Sequence, residues 1–190
     1  MLKALCVYCG SNPGLSPLYM ESAAALGREL ARRKTRLIYG GSGRGTMGAL
    51  ANAVLDGGGE VTGIIPSGYL ENEAAHRGLP DLRIVGSMHE RKALMTQLCD
   101  AFLTMPGGYG TFDELCEALS WAQLGIHAKP AGLWNINGYF DPFLAQLDRS
   151  AAEGFLKPAH RALLHASGDM AALLDHLDLA AAPPATDKWL

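Results

Sequence analysis

The feature that most restricts how this chain can fold is an alternation of short apolar or β-branched runs with longer stretches of helical periodicity. A strand, a helix and a second strand running the same way form a βαβ unit, and a series of such units builds a parallel sheet. The runs that read as strands are Ala4 to Cys9, Arg36 to Tyr39, Val61 to Ile65, Leu82 to Val85, Ala101 to Met105 and Ala131 to Ile136. The first intervening helix opens on Ser16 as N-cap with Pro17 at its first position, and Met20, Ala24, Leu26 and Leu30 supply its apolar stripe. Further helices are expected over Thr46 to Asp56, His89 to Cys99, Thr111 to Leu124, Tyr139 to Glu153 and Met170 to Leu177. Glycine follows directly after Asp56, Leu124 and Glu153, which is where a helix can stop. A chain of 190 residues is about one domain's worth. With no internal repeat and no linker, the expectation is one α/β domain over residues 1–178 and a loose Ala/Pro-rich tail over 179–190.

In open sheets of this kind ligands bind outside the carboxyl ends of the strands, so the residues just after each strand matter most. After Tyr39 comes Gly40-Gly41-Ser42-Gly43-Arg44-Gly45-Thr46-Met47-Gly48, in which Gly43, Gly45 and Gly48 have Gly-x-Gly-x-x-Gly spacing. Glycine lets backbone approach a phosphate, and the free N–H groups of a helix N-terminus favour negative charge. A dinucleotide site would want an acidic residue at the end of the next strand, but that end reads Ile64-Ile65-Pro66. A Walker loop also fails, because Arg44 and Gly45 precede Thr46 where lysine belongs. Gly43 and Gly45 therefore read as a candidate mononucleotide or phosphate grip, with a simple tight turn as the rival.

A second loop, Pro106-Gly107-Gly108-Tyr109-Gly110-Thr111-Phe112-Asp113-Glu114, also follows an apolar strand and opens a helix. Thr111-x-x-Glu114 fits a capping box, which would explain those two residues without chemistry but leaves Pro106, Gly107, Gly108 and Gly110 unexplained. Cap and active-site carboxylate both stand for Glu114 at this point. At the start of the preceding helix, Met88-His89-Glu90-Arg91-Lys92 brings two cations toward the same sheet edge. Their rival reading is an ordinary solvated charge cluster.

That placement matters because the formal net charge is −3. An anionic ligand must be held by local positive groups and backbone dipoles, and a basic coat for a nucleic-acid polymer is not expected. No window of about 18 uncharged apolar residues occurs, and the N-terminus runs straight into a strand. Neither membrane span nor signal peptide is read, and the cytoplasm is the default location. Cys6 and Cys9 face opposite sides of a strand, so with Cys99 and Cys116 they read as small buried apolar side chains. His89 has no second ligand at metal spacing, and no metal site is expected.

Met88-His89-x-Arg91-Lys92 with Met95, then Pro106-Gly107-Gly108-x-Gly110-Thr111-x-x-Glu114, then Trp121-Ala122-Gln123-Leu124-Gly125, together resemble the Lonely Guy family of cytokinin riboside 5′-monophosphate phosphoribohydrolases. The resemblance runs from Tyr8-Cys9-Gly10-Ser11 through Glu153-Gly154-Phe155. Members of the family are often labelled lysine decarboxylases, but the chain is short for a pyridoxal-phosphate decarboxylase and no lysine has a recognisable Schiff-base setting. The resemblance implies a Rossmann-like three-layer sandwich with a central parallel sheet, no metal or organic cofactor, and a homodimer with the active site near the subunit interface. It implies hydrolysis of a nucleoside 5′-monophosphate to free base and ribose 5-phosphate. Arg91 and Glu114 match the catalytic pair. Substrate contacts map onto Glu73, with Glu71 a close rival, and onto Arg91, Lys92, Gly107, Gly108, Tyr109, Gly110, Thr111, Phe112, Asp113 and Ser120, where the family commonly has threonine. A non-catalytic carrier or sensor of nucleotide or molybdenum cofactor is the alternative on a fold of this type.

Overall fold

The computed structural model describes residues 2–70 and 75–180. Its seven strands are β1 (Ala4–Tyr8), β2 (Arg36–Tyr39), β3 (Val61–Pro66), β4 (Asp81–Val85), β5 (Ala101–Thr104), β6 (Ala131–Trp134) and β7 (Leu164–Ser167). All pair in parallel in the order β4-β3-β2-β1-β5-β6-β7. The chain winds outward from β1 to one edge, then returns and winds outward from β5 to the other. The switch point therefore lies between β1 and β5, where a crevice opens past the strand ends.

The helices are α1 (Pro17–Arg33), α2 (Gly45–Asp56), α3 (Met88–Leu98), α4 (Tyr109–Gln123), α5 (Asp141–Ala152), α6 (Pro158–Arg161) and α7 (Met170–Leu179). The period-2 alternation of the strands sorts the core into two layers. Leu5, Val7, Leu37, Tyr39, Ala101 and Leu103 face a layer built with Leu26 and Leu30 of α1, Leu50 and Val54 of α2 and Leu173 of α7. Cys6, Tyr8, Ile38, Ile64, Phe102 and Leu133 face the opposite layer, with Met95 of α3 and Leu115 of α4. Helices on both faces of a parallel sheet make the expected three-layer sandwich, and fully burying each Leu or Ile stabilises it by roughly 1.5–3 kcal/mol. Cys6 and Cys9 are both buried, one in each layer.

Several local expectations shift. Strand β7 went unread, and α7 continues two residues beyond Leu177. In the stripe of α1, Leu26 and Leu30 are fully buried as expected, but Ala23 is buried in place of Ala24, which is only partly covered. Ser16 does cap that helix, accepting from the Leu18 N–H at 3.3 Å. Cys116 is exposed on α4 rather than buried. Helix α5 begins at Asp141 rather than Tyr139, because a 3-10 turn at Ile136–Gly138 precedes it, with Asn137 at φ 51° and Gly138 at φ 70°. Along α4 and its C-cap, Leu115 is core, Leu119 packs against the core, and Leu124 is half exposed. No helix among the described residues is long and apolar enough to cross a membrane. Residues 181–190 of the anticipated tail lie outside the described residues.

Candidate active site

A cleft of about 660 Å³ opens at the β1/β5 switch point. Five strand ends supply its walls: Cys9 to Gly14 after β1, Thr46 and Met47 after β2, Tyr69 after β3, Pro106 to Thr111 after β5, and Tyr139 after β6. Met88 and Arg91 enter from the first turns of α3, and Glu114 from α4. The α3 start is fixed by Ser87, whose hydroxyl accepts from the Glu90 N–H at 3.1 Å.

The capping-box reading of Glu114 fails. Helix α4 starts two residues before Thr111, with Gly108 as an N-cap that has no side chain to offer. Thr111 is thereby a third-position residue and Glu114 lies a turn further in, both buried. The first N–H groups of α4, at Tyr109, Gly110 and Thr111, have no intrahelical partner and no side-chain cap, which leaves a positive dipole end at the cleft. Gly107 lets this turn close, since a Cβ there would stand 2.1 Å from the Thr111 hydroxyl oxygen.

Glu114 is 5% exposed, and its Oε1 stands 3.1 Å from Nη2 of Arg91. The approach lacks hydrogen-bond alignment, so Oε1 of Glu114 and Nε of Arg91 are buried without hydrogen-bond partners. Burial raises the Glu114 carboxyl from 4.5 to about 7, while Arg91 opposes the rise. Arg91 occupies space that only glycine leaves open: a Cβ on Gly40 would lie 2.0 Å from Nη2. Its Nη1 also rests 3.1 Å from Sδ of Met88.

Lys92 points elsewhere. Its Nζ bridges Asp113 at 3.0 Å and Glu117 at 2.8 Å, clamping α3 to α4 beside the cleft rather than lining it. Burial pulls the ammonium down, but bonds to Glu117 and Asp113 outweigh that and raise it. A Schiff-base lysine needs the opposite shift. Phe112 packs edge-on against Phe140, outside the cleft wall, and Ser120 is exposed two turns beyond Asp113.

The first glycine loop does a different job from the second. Gly43 and Gly45 do not line the cleft. A Cβ on Gly45, which has φ 56°, would meet the Ser11 carbonyl carbon at 2.4 Å, and Gly48 packs as closely on the Gly43 carbonyl. The Thr46 hydroxyl and Met47 N–H both donate to the Gly10 carbonyl, at 2.9 and 3.1 Å. The N-terminus of α2 thus fastens the β1 turn. Glu73 and its rival Glu71 lie outside the described residues. Among the described residues no group of three His, Cys, Asp or Glu side chains could hold a metal. Sequence reasoning did not single out Asn12, Tyr19 or Tyr139 as site residues, although all three line the cleft; no local motif marks them.

The topology defines a doubly wound α/β protein whose pocket sits at the switch point, with an uncapped helix end in its wall. A family model described as "Possible lysine decarboxylase" matches residues 47–177. A "Probable cytokinin riboside 5′-monophosphate phosphoribohydrolase" of Oryza sativa subsp. japonica is 47% identical over 176 residues, covering 93% of this chain and 78% of the relative. A "Cytokinin riboside 5′-monophosphate phosphoribohydrolase" of Rhodococcoides fascians is 49% identical over 160 residues, covering 84% of this chain and 81% of the relative. The chain belongs to this phosphoribohydrolase family, as its paired motifs led us to expect. Its fold is shared with the molybdenum cofactor carrier protein of Chlamydomonas reinhardtii, at TM-score 0.71 and 18% identity, over 95% of this chain and 100% of that one.

Proposed function

We propose that this protein hydrolyses the N-glycosidic bond of cytokinin riboside 5′-monophosphates, and of AMP, releasing the free adenine base and ribose 5-phosphate. The observation that carries the reading is the buried Arg91–Glu114 pair, with an unpartnered carboxylate oxygen beside an uncapped helix end. The 5′-phosphate binds at the first turn of α4, where the N–H groups from Gly108 to Thr111 meet it. That contact, remote from the reacting bond, supplies positioning energy for the ribose.

Cleavage of C1′–N9 builds positive charge on the sugar before water is fully bonded. Glu114, ionised, stabilises that charge across the ring and takes a proton from the attacking water as its oxygen bonds to C1′. A purine ring nitrogen takes a proton from solvent before the bond breaks, so the electron pair of the C1′–N9 bond leaves with a neutral base, and Glu114 then returns the proton it took from water to solvent. Arg91 offsets part of the pull of burial, so that the carboxylate ionises near neutral pH, and orients it. Lys92 acts through Asp113 and Glu117 by holding α3 and α4 together. The exposed Leu124 and Ile126 suit an interface between two copies, and the exposed Ser120 on α4 would meet substrate in such a homodimer. A scattering mass equal to one chain would contradict that assembly.

A carrier on the same fold could keep the glycine turns, but it has no use for a buried carboxylate near neutral pKa. The test compares AMP and N6-isopentenyl-AMP with their nucleosides and assays for base and sugar. Nucleotides are expected to be cleaved far faster. Equal rates on nucleosides contradict the phosphate anchor, and unchanged ligand indicates a carrier.

A further inference from the structure

Tyr139 follows a built turn. Asn135 holds it by accepting from the Phe140 N–H at 2.8 Å and donating to Asp141 at 2.7 Å. The tyrosine ring stands edge-on to Phe140 and Tyr19, with centroids at 4.9 and 5.9 Å. These contacts aim its hydroxyl across the cleft, where it donates to the Gly107 carbonyl at 2.6 Å. The residues are 32 apart in sequence, and this is the bond that ties the β6 turn to the β5 turn.

The acceptor matters because of what lies next to it. Gly107 and Gly108 flank a single peptide plane, and without side chains such a plane can rotate at little cost. In a trans peptide the C=O and the following N–H point opposite ways, so fixing the Gly107 carbonyl also fixes the Gly108 N–H. Gly108 is the N-cap of α4, directly before the free amides of Tyr109, Gly110 and Thr111. We propose that Tyr139 is a positioning residue: its hydroxyl latches the Gly107–Gly108 peptide so that the α4 end presents its amides as one phosphate-binding turn. The proposal rests on the phosphate anchor proposed above.

Tyr139→Phe tests it, because phenylalanine keeps the ring contacts and removes only the latch. The expected result is a KM for AMP and a Kd for ribose 5-phosphate raised about three- to tenfold, as for loss of one neutral hydrogen bond, with kcat little changed. Adenine binding and the thermal midpoint should not move, which separates a latch from general loosening. Unchanged KM and Kd, or a fall in kcat at constant KM, overturns the latch. A wild-type protein that binds ribose 5-phosphate in a Tyr139-dependent way but cleaves no nucleotide upholds the latch and refutes the hydrolase reading.

Discussion

Arg91 and Glu114 stand 3.1 Å apart without sharing an aligned hydrogen bond. The pair is held by position: Gly40 makes room for the guanidinium, and α4 carries the carboxylate inward. Removing the arginine leaves a buried acid with no adjacent cation. Arg91→Ala should therefore lower kcat/KM for AMP by at least about 100-fold, the scale of losing a general base through protonation. Steady-state kinetics at neutral pH would check this.

The pH dependence follows from the direction of the Glu114 shift. With its carboxyl raised from 4.5 to about 7, the folded protein holds a proton that the unfolded chain has lost. Stability from this group is fullest below 4.5 and falls as pH rises through about 7, by an amount of order 3 kcal/mol. Activity moves the other way, because the base must be ionised. The acid limb of kcat/KM should lie near pH 7, and denaturant titrations should show Glu114→Gln losing that slope in stability.

Lys92 tunes the same group from a distance. Its charge lowers the Glu114 pKa, while Asp113 and Glu117 raise it. Lys92→Ala should shift the acid limb upward and Glu117→Gln should shift it downward. A pH–rate profile for each variant distinguishes this from a simple loss of substrate affinity, which would change KM alone.

Gly40→Ala is a test of space. The added methyl would sit 2.0 Å from Nη2 of Arg91, so the guanidinium must leave its position beside Glu114. Turnover should fall about tenfold or more, since misplacing a catalytic group by an ångström carries that cost. The far end of a long side chain can move, so the thermal midpoint should change little. Kinetics and a melting curve on the same sample would check both.

Much of this was legible in the chain itself. The six short apolar runs, the glycine stops after Asp56 and Leu124, and the Ser16-Pro17 start are local signals, and they appear where local physics puts them. Strand β7 is four residues, Leu164–Ser167, with a histidine and a serine in it, so its identity comes from pairing with β6 rather than from composition. The two glycine loops look alike in sequence, yet only the second lines the cleft with its glycines. Gly45 is taken up by contact with Ser11, a residue 34 positions earlier, and no spacing rule contains that contact. Glu114 was ambiguous for a similar reason: cap or core depends on whether α4 starts at Tyr109 or Thr111, which the uncapped Gly108 decides. Tyr139 was invisible as a site residue because its role depends on the Gly107 carbonyl across the crevice.

The most direct test of the hydrolase reading is product analysis on the intact protein. Wild type and Glu114→Gln are each incubated with N6-isopentenyl-AMP, and free base and ribose 5-phosphate are quantified together. Equal amounts of the two products from the wild type, with the variant binding nucleotide but slowed by about 100-fold or more, is the expected result. Intact nucleotide after incubation with the wild type, or undiminished cleavage by the variant, would contradict the account.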